Sequence, residues 1–288
     1  MRIVIIGANG QLGTDLQPAL RGHDLVPLRH ADLDVCDAAR LGEVLREVRP
    51  AVVINNSAFH KVDLCEDEPG SSFAVNATGA YNLARLGAEV GFTLIHFSTD
   101  YVFDGRGKRP CREEDLPNPL SVYGTSKLAG EMLVRNFCPR HYVIRTTGLY
   151  GLAGASGKGG NFVETMIRLG KAGPVRVVND QVMTPTSTAD LARAIAELIQ
   201  REASVPYGLY HVTSAGQCSW FEFARTIFEL CVMNVDLSPI TSAQSGSKAR
   251  RPAYSVLDHG KWIAAGLPEL RHWREALADY LMAKGHRL

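Results

Sequence analysis

A glycine-rich turn joins a short apolar segment to a helical segment at the start of the chain. Gly7, Gly10 and Gly13 lie in GANGQLG, directly after the apolar residues 2–6. A turn this tight needs a residue that tolerates positive φ, and the missing side chains let backbone N–H groups at the next helix N-terminus approach a pyrophosphate. A dinucleotide fingerprint occupies this same position, between the first strand and the first helix. We therefore predict that these glycines bind a dinucleotide, with a turn that holds no ligand as the alternative.

The first half of the chain alternates short apolar segments with helical patterns. We predict strands at Arg2–Ile6, Leu25–Leu28, Ala51–Asn55, Thr93–Phe97 and His141–Arg145. We predict helices between them around Gln11–Leu20, Ala38–Glu47, Ser71–Val90 and Ser126–Asn136. Strands that are apolar on both faces are typical of a covered parallel sheet, and strand-helix alternation is typical of a doubly wound α/β domain. The sequence therefore predicts an α/β fold with a doubly wound parallel sheet of the Rossmann type.

The alternation ends after about residue 150. The segment GLAGASGKGGN is rich in glycine and is expected to be flexible, and later segments mix loops with predicted helices at Thr188–Arg201 and Trp220–Cys231. We predict an NADP-binding Rossmann domain at residues 1–150, with a return segment at about residues 175–205. Residues 151–174 and 206–288 are predicted to form a smaller C-terminal substrate-binding lobe.

Charge and composition exclude several classes of function. The net charge is +1 with both signs well mixed, so we predict no nucleic-acid partner. The six cysteines show no CxxC pair and no metal-ligand spacing, which predicts reduced thiols and no metal site. No apolar run reaches the roughly 18 residues of a membrane span, and the N-terminus has no signal-peptide pattern. We therefore expect a cytoplasmic protein with no membrane partner.

A tyrosine and a lysine four residues apart open the helix that follows the fourth predicted strand. They are Tyr123 and Lys127 of VYGTSK, and Thr99 stands at the carboxyl end of that strand. Strand ends flank the cofactor crevice of a doubly wound sheet, so we predict that these three residues converge beside a nicotinamide. An ammonium one helical turn away is expected to lower the pKa of Tyr123 towards neutrality. Thr99 is expected to hydrogen-bond the substrate oxygen.

Residues after the second predicted strand bear on the choice of cofactor. A domain that selects NAD places a carboxylate there, whereas this chain has Arg29 and His30, with Asp32 and Asp34 only later. Arginine can bind a 2'-phosphate. We therefore predict NADPH as the cofactor and Arg29 as a ligand of its phosphate, with NADH left open. A solvated surface charge is the alternative for Arg29.

Motifs along nearly the whole chain resemble extended short-chain dehydrogenases/reductases and, within them, the dTDP-4-dehydrorhamnose reductases. The combination of STDYVFDG with the YxxxK pair and the closing RRPAYSVLD is specific to this subfamily. The segments, in the family's order, are GANGQLG, LDVCD, NNSAFHKVDLCEDEP, FAVNATGAYNLA, STDYVFDG, PLSVYGTSKLAGE, VIRTTGLYG, NDQVMTPT and RRPAYSVLD.

The resemblance implies an activity and a set of site residues. It implies an NADPH-dependent oxidoreductase that reduces the 4-keto group of a nucleotide-linked 6-deoxysugar, with dTDP-4-dehydro-L-rhamnose, reduced to dTDP-L-rhamnose, as the leading candidate. Tyr123 is implied as the proton donor and Lys127 as its partner. The other implied cofactor contacts are Gly10, Gln11, Leu12, Asp34, Val35, Ala58, Phe59 and His60. The implied substrate contacts are Val62, Thr99 and Asp100.

Two arginines near the end of the chain are further candidates for the substrate site. Arg250 and Arg251 are adjacent in RRPAYSVLD. Paired guanidinium groups can bind a diphosphate through bidentate hydrogen bonds. We predict that both arginines bind the substrate, with a solvated basic loop as the alternative.

This chain departs from the subfamily pattern where a substrate would be held. Family members commonly read RTSWVYG where this chain reads RTTGLYG, so Gly148 replaces a tryptophan that would pack against the nucleotide sugar. Val182 and Met183 stand where an aromatic-glycine pair is usual. Loss of one large apolar contact costs on the order of 1 to 3 kcal/mol of binding unless another side chain fills the space. These departures suggest an altered sugar.

Other functions on this fold stay open at this point. One is a sugar-nucleotide dehydratase or epimerase, although Tyr101 stands where a dehydratase would complete its Asp-Glu pair. A second is a reductase of another nucleotide-linked 4-keto sugar. A third is a noncatalytic NADP-binding regulatory subunit similar to the β subunit of methionine adenosyltransferase. The oligomeric state is also open, with a homodimer as one option.

Overall fold

The computed structural model of the chain describes residues 1–154 and 160–286, so part of the glycine-rich segment expected to be flexible lies outside the described residues. The strands are β1 (Arg2–Ile6), β2 (Asp24–Leu28), β3 (Val52–Asn55), β4 (Thr93–Thr99), β5 (His141–Thr146), β6 (Leu149–Tyr150), β7 (Val175–Val178), β8 (Val182–Met183), β9 (Thr186–Ser187), β10 (Gly208–His211), β11 (Cys218–Ser219) and β12 (Leu237–Ile240). The helices are α1 (Gln11–Ala19), α2 (Ala38–Val48), α3 (Val62–Asp67), α4 (Pro69–Phe73), α5 (Gly79–Val90), α6 (Val122–Phe137), α7 (Phe162–Ala172), α8 (Thr188–Gln200), α9 (Trp220–Leu230), α10 (Gly260–Ala264) and α11 (Trp273–Ala283).

Six strands form one parallel sheet, in the order β10-β5-β4-β3-β1-β2. The chain moves from β1 to β2 on one side and then to β3 on the other, so the strand order reverses between β1 and β3. Ligands of doubly wound sheets bind beyond the carboxyl ends of the strands at such a reversal. The predicted doubly wound Rossmann fold is confirmed.

Both faces of the sheet are covered by helices. Ile3 and Ile5 of β1 enter an apolar layer shared with α1 and α8. Val4 and Ile6 of the same strand enter a second layer, shared with α2 and α5. Because alternate side chains of a strand point to opposite faces, a strand covered on both sides must be apolar throughout. This is why the strand segments stand out so clearly in the sequence.

A third apolar cluster, built from α7, β7, α9 and α11, forms the core of the smaller lobe. Two segments lie on the other side of the predicted boundary between the lobe and the Rossmann domain. Strand β10 was predicted in the lobe, but it pairs with β5 at the edge of the main sheet. Strand β7 was predicted in the return segment, but it pairs with β12 in the lobe. The positions of β7 and β10 depend on pairing with strands that are distant in the chain, and the local sequence pattern does not predict such pairing.

Two helices differ from their predicted bounds in ways that matter for the site. The helix predicted at Ser71–Val90 is divided into α4, a π-helical turn at Ala74–Thr78 and α5. Helix α6 starts four residues earlier than predicted, because Ser121 caps it by accepting a 3.2 Å hydrogen bond from the backbone N–H of Gly124. Tyr123 therefore lies in the first turn of α6. No helix in the described ranges has the length and apolar character needed to cross a membrane.

Candidate active site

A cavity of about 560 Å³ opens beyond the carboxyl ends of β1, β3, β4 and β5. Most residues predicted to bind cofactor or substrate line this one cavity. They are Gly7, Gly10, Gln11, Leu12, Gly13, Asp34, Val35, Ala58, Phe59, His60, Val62, Thr99, Asp100, Tyr123 and Lys127. Arg29, Arg250 and Arg251 are not among the residues that line it.

The glycine turn forms a backbone cradle at one end of the cavity. Gly7 has φ of +73°, which side chains rarely allow, and a Cβ atom on Gly13 would lie 2.3 Å from the carbonyl oxygen of Gly7. The first turn of α1 therefore packs directly on the turn that follows β1. No side chain caps the amides of this helix N-terminus. A cradle of bare backbone at a helix N-terminus fits the pyrophosphate of a dinucleotide.

Asn76 holds the loop that follows β3 against α6. Its side-chain oxygen accepts a 2.9 Å hydrogen bond from the backbone N–H of Phe59, and its Nδ2 donates to the Phe59 carbonyl at 3.0 Å. The same Nδ2 donates to Ser126 Oγ at 3.0 Å, and Ser126 Oγ donates to the carbonyl of Tyr123 at 2.8 Å. Asn76 lies in the π-helical turn, a feature often found at functional sites. The turn thus links the Phe59 loop to the backbone of Tyr123.

Tyr123 is half-buried and lines the cavity. Its phenol is hydrogen-bonded to the side chain of Thr99, and its ring contacts that of Tyr101 edge to face at 5.6 Å. A Cβ atom on Gly124 would lie 2.3 Å from the carbonyl oxygen of Tyr101, so α6 packs directly on the turn after β4. This close approach brings the phenol of Tyr123 next to the Thr99 hydroxyl.

Lys127 is buried one turn further along α6. Its Nζ donates a 2.6 Å hydrogen bond to the carbonyl oxygen of Phe97, and burial lowers its pKa to about 8. Burial is also the largest influence on Tyr123, and it raises the pKa of that phenol above its ordinary value. The expectation that Lys127 lowers the pKa of Tyr123 is therefore wrong. The amine of Lys127 is bonded to the Phe97 carbonyl, and desolvation of the Tyr123 phenol decides the direction of the shift.

Asp100 follows Thr99 at the end of β4 and is also buried. Its carboxylate accepts a 3.1 Å hydrogen bond from Thr99 Oγ1, and the side chains of Thr147 and Ser255 are hydrogen-bonded to it. Burial raises the pKa of Asp100 to about 6, and the hydrogen bonds oppose that shift in part. A carboxyl group with several hydrogen-bonding partners is well ordered, and it can present an oxygen to a sugar hydroxyl.

Two of the three predicted arginines are paired with carboxylates that do not line the cavity. Arg29 forms a forked ion pair with Asp32, at 2.9 and 3.0 Å, and His30 lines the cavity instead. Arg251 pairs with Asp63 at 3.1 Å and is hydrogen-bonded to the side chain of Tyr101, which does line the cavity. These ion pairs hold the side chains of Arg29 and Arg251 away from the cavity. Arg250 is exposed. Ligand binding by all three arginines stays a prediction.

The structure also adds cavity residues that the sequence did not indicate. Trp220 comes from the smaller lobe, where it begins α9 and packs against Phe162 at a ring distance of 4.7 Å. The capping residues around Trp220 predict the start of a helix, but they do not predict that Trp220 lines the cavity. The other additions are Ile6, Asn9, His30, Leu33, Asn56, Ser57, Val75, Phe97, Ser98, Tyr101, Thr146, Thr147 and Leu149.

Gly148 contributes only backbone to the cavity. Its φ is +60°, and a Cβ atom there would lie 3.0 Å from the carbonyl oxygen of Thr184 and 3.1 Å from Met183 Sδ. A larger residue at position 148 would require the backbone here or the β8 segment to shift. Among residues 1–154 and 160–286, no group of three or more His, Cys, Asp or Glu side chains is arranged to hold a metal ion.

Known proteins resemble this chain over nearly its whole length. The RmlD substrate binding domain family matches residues 1–285. A dTDP-4-dehydrorhamnose reductase of Streptomyces griseus is 42% identical over 285 residues, which cover 96% of this chain and 92% of that protein. A dTDP-4-keto-6-deoxy-D-glucose reductase of Streptomyces niveus is 37% identical over 283 residues, which cover 96% of each chain. The crystal structure of a dTDP-4-dehydrorhamnose reductase of Bacillus anthracis in complex with NADP has a TM-score of 0.92 and 39% identity, with 98% of this chain and 99% of that one covered.

Proposed function

The chain belongs to the RmlD substrate binding domain family, and from this membership and the cavity we propose that it reduces the 4-keto group of a nucleotide-linked 6-deoxysugar. The protein is an NADPH-dependent oxidoreductase. We take dTDP-4-dehydro-L-rhamnose, reduced to dTDP-L-rhamnose, as the substrate. The observation that carries the proposal is that the glycine cradle and Thr99, Tyr123 and Lys127 line a single cavity.

Different residues of the cavity would bind the cofactor and the substrate. The bare backbone around Gly7 and Gly13 would hold the pyrophosphate of NADPH, and Ala58, Phe59 and His60 would flank its nicotinamide ribose. NADPH, when bound, supplies the hydride that reduces the carbonyl carbon. The protein contributes proximity and orientation, since Thr99 and Tyr123 meet at the point where a substrate oxygen can accept hydrogen bonds.

The proton for the new hydroxyl comes from Tyr123 in this proposal. Burial raises the pKa of Tyr123, so its phenol is protonated throughout the neutral range and can act as an acid. As the phenol O–H bond breaks, the proton moves to the oxygen of the former carbonyl. The ammonium of Lys127 then stabilises the phenolate that remains, and Thr99 holds the substrate oxygen in line with the phenol.

The test is consumption of NADPH with dTDP-4-dehydro-L-rhamnose, compared between the wild type and Tyr123→Phe. Loss of turnover by a factor of roughly a hundred or more in the variant, with NADPH binding retained, supports the proposal. Tyr142→Phe is the control, because this tyrosine is buried and does not line the cavity. Tight NADPH binding without turnover in the wild type would overturn the proposed substrate.

A second candidate substrate is a different dTDP-linked 4-keto-6-deoxysugar. Gly148 favours it, since this residue offers no side chain to the cavity. The Streptomyces niveus relative carries the name of a reductase of dTDP-4-keto-6-deoxy-D-glucose. The ratio of kcat/KM for the two sugars separates the candidates, and a higher value for the glucose-derived sugar would favour the second.

We also propose the cytoplasm as the location and a homodimer as the assembly. No disulfide joins the cysteines of the described residues, which supports a reducing compartment. Light scattering of the purified protein tests the homodimer directly. A mass equal to one chain would overturn that part of the proposal.

A further inference from the structure

Glu131 lies one helical turn beyond Lys127, on the buried side of α6. Residues four apart on a helix share a face, so the carboxylate and the ammonium are neighbours. Glu131 has no exposed surface and Lys127 is 2% exposed. A carboxylate this deeply buried is costly unless charged partners and hydrogen bonds compensate it. Its partners therefore show what it does.

The carboxylate of Glu131 is clamped from two strands of the main sheet. Arg145 of β5 donates to it twice, through Nε to Oε1 at 2.9 Å and through Nη2 to Oε2 at 2.7 Å. Ser98 of β4 donates to Oε1. Arg145 is 1% exposed, and its guanidinium stacks over the ring of Phe103 at 5.0 Å. The carboxylate of Glu131 is thus fixed in position and cannot swing away from α6.

The groups that face Lys127 come from α6, β4 and β5. His96 of β4 is neutral, because burial holds its pKa well below the ordinary value, and its Nδ1 is 3.0 Å from Asn55 Nδ2. Tyr123 of α6 is protonated. Arg145 of β5 is a second cation, held on the far side of the carboxylate. Glu131 is the neighbour whose charge opposes the effect of burial on Lys127.

We propose that Glu131 is a positioning residue for the reduction, because its clamped carboxylate keeps the buried amine of Lys127 charged. The inference rests on the proposed reductase function, in which Lys127 acts as an ammonium. Arg145 holds this carboxylate in place, but its own positive charge acts on the titration of Lys127 in the opposite sense to the charge of Glu131. Removing Glu131 or Arg145 should therefore shift the titration of Lys127 in opposite directions.

The sign follows from the charges. Burial lowers the pKa of Lys127 to about 8, so activity that needs the ammonium falls as the pH rises through that value. Glu131→Gln removes the negative charge, which moves the alkaline limb of the kcat profile to lower pH. Arg145→Met removes the competing positive charge, which moves the same limb to higher pH. Glu131→Asp keeps the charge and should keep a limb near that of the wild type.

The experiment measures kcat against pH for the wild type and these three variants, with Glu197→Gln as the control. Glu197 is also a helical glutamate paired with an arginine, but its partner is Arg201 on the exposed side of α8. We expect Glu131→Gln to lose activity about tenfold at pH 8 and to regain most of it near pH 6. Recovery at low pH separates this role from a purely structural one, since a misfolded enzyme would not regain activity.

Two results would overturn the inference. One is a Glu131→Gln profile whose alkaline limb coincides with that of the wild type. The other is a loss of activity that is uniform across the pH range while NADPH binding and melting temperature are retained. Should Glu131→Gln fail to fold, the upward shift expected for Arg145→Met decides the matter by itself. A wild type without turnover would instead count against the proposed function, so the two failures are distinct.

Discussion

The side chain of Asn76 makes two hydrogen bonds to the backbone of Phe59, one through each of its polar atoms. An amide can do this because it carries both an acceptor and a donor, whereas a carboxylate only accepts. The π-helical turn that carries Asn76 thus determines the course of the Phe59 loop, which lines the cavity.

Asn76→Asp should weaken NADPH binding about tenfold or more. The substitution keeps the shape but removes the amide donor to the Phe59 carbonyl, which then keeps only a weak hydrogen bond from Cys65 Sγ at 3.6 Å. Such a loss costs on the order of 1 to 3 kcal/mol. NADPH titration by fluorescence provides the measurement. Asn136→Asp, on the exposed side of α6, serves as the control. Equal NADPH affinity in both variants would show that the Phe59 loop does not depend on Asn76.

Gly13→Ala should abolish tight NADPH binding and destabilise the protein by about 1 to 3 kcal/mol. The added methyl group would lie 2.3 Å from the carbonyl oxygen of Gly7, so α1 must move away from the turn. Urea unfolding and NADPH titration test both effects. Gly22→Ala is the matched control, since nothing lies within 4 Å of a Cβ atom there. Two variants of equal stability and affinity would contradict the close packing of the cradle.

Thr99→Val should lower kcat by about ten- to a hundredfold at neutral pH with little change in NADPH affinity. The Thr99 side chain is hydrogen-bonded to the Tyr123 phenol and lowers its pKa, so removing the hydroxyl makes the phenol a weaker acid. Thr99→Ser keeps the hydroxyl and should keep most of the activity. Steady-state kinetics with saturating NADPH test this, and an unaffected kcat in Thr99→Val would exclude the role.

Trp220→Ala should raise KM for the nucleotide sugar about tenfold while NADPH affinity stays the same. Trp220 supplies an aromatic surface to the cavity where Gly148 supplies none. Trp220→Phe should show a smaller increase, because part of the aromatic surface remains. Leu116→Ala removes an exposed apolar side chain that does not line the cavity, and is the control. An unchanged KM in Trp220→Ala would place the substrate elsewhere.

Asp100→Asn should increase stability near pH 7 more than near pH 4. Burial raises the pKa of Asp100 to about 6 in the folded protein, so the folded state binds a proton more tightly than the unfolded state does. This carboxyl therefore destabilises the fold as pH rises through 6, by an amount on the order of 2 to 3 kcal/mol, and the asparagine does not. Urea unfolding at both pH values measures the difference. Asp104→Asn should show the opposite dependence, because hydrogen bonds from the Arg106 backbone and from Asn118 lower the pKa of Asp104.

Local sequence pattern was sufficient for the parts of the site that belong to single elements. The glycine turn, the strand at Arg2–Ile6 and the spacing of Tyr123 and Lys127 are each set by residues close together in the chain. Period, turn chemistry and helical spacing act over a few residues, so they can be read before the fold is known. Because the carboxyl ends of parallel strands meet at one edge of the sheet, it was also possible to predict that Thr99 lies near Tyr123 and Lys127.

Only the tertiary structure decided which distant charges and strands meet. Arg251 pairs with Asp63, Trp220 of α9 lines the cavity, and β7 and β10 pair with β12 and β5. The pairing of Glu131 with Arg145 joins a helix to a strand that the sequence gives no reason to connect. Such contacts depend on how the elements pack, and burial then sets the pKa values of Tyr123, Lys127 and Asp100 through desolvation, which sequence spacing does not report.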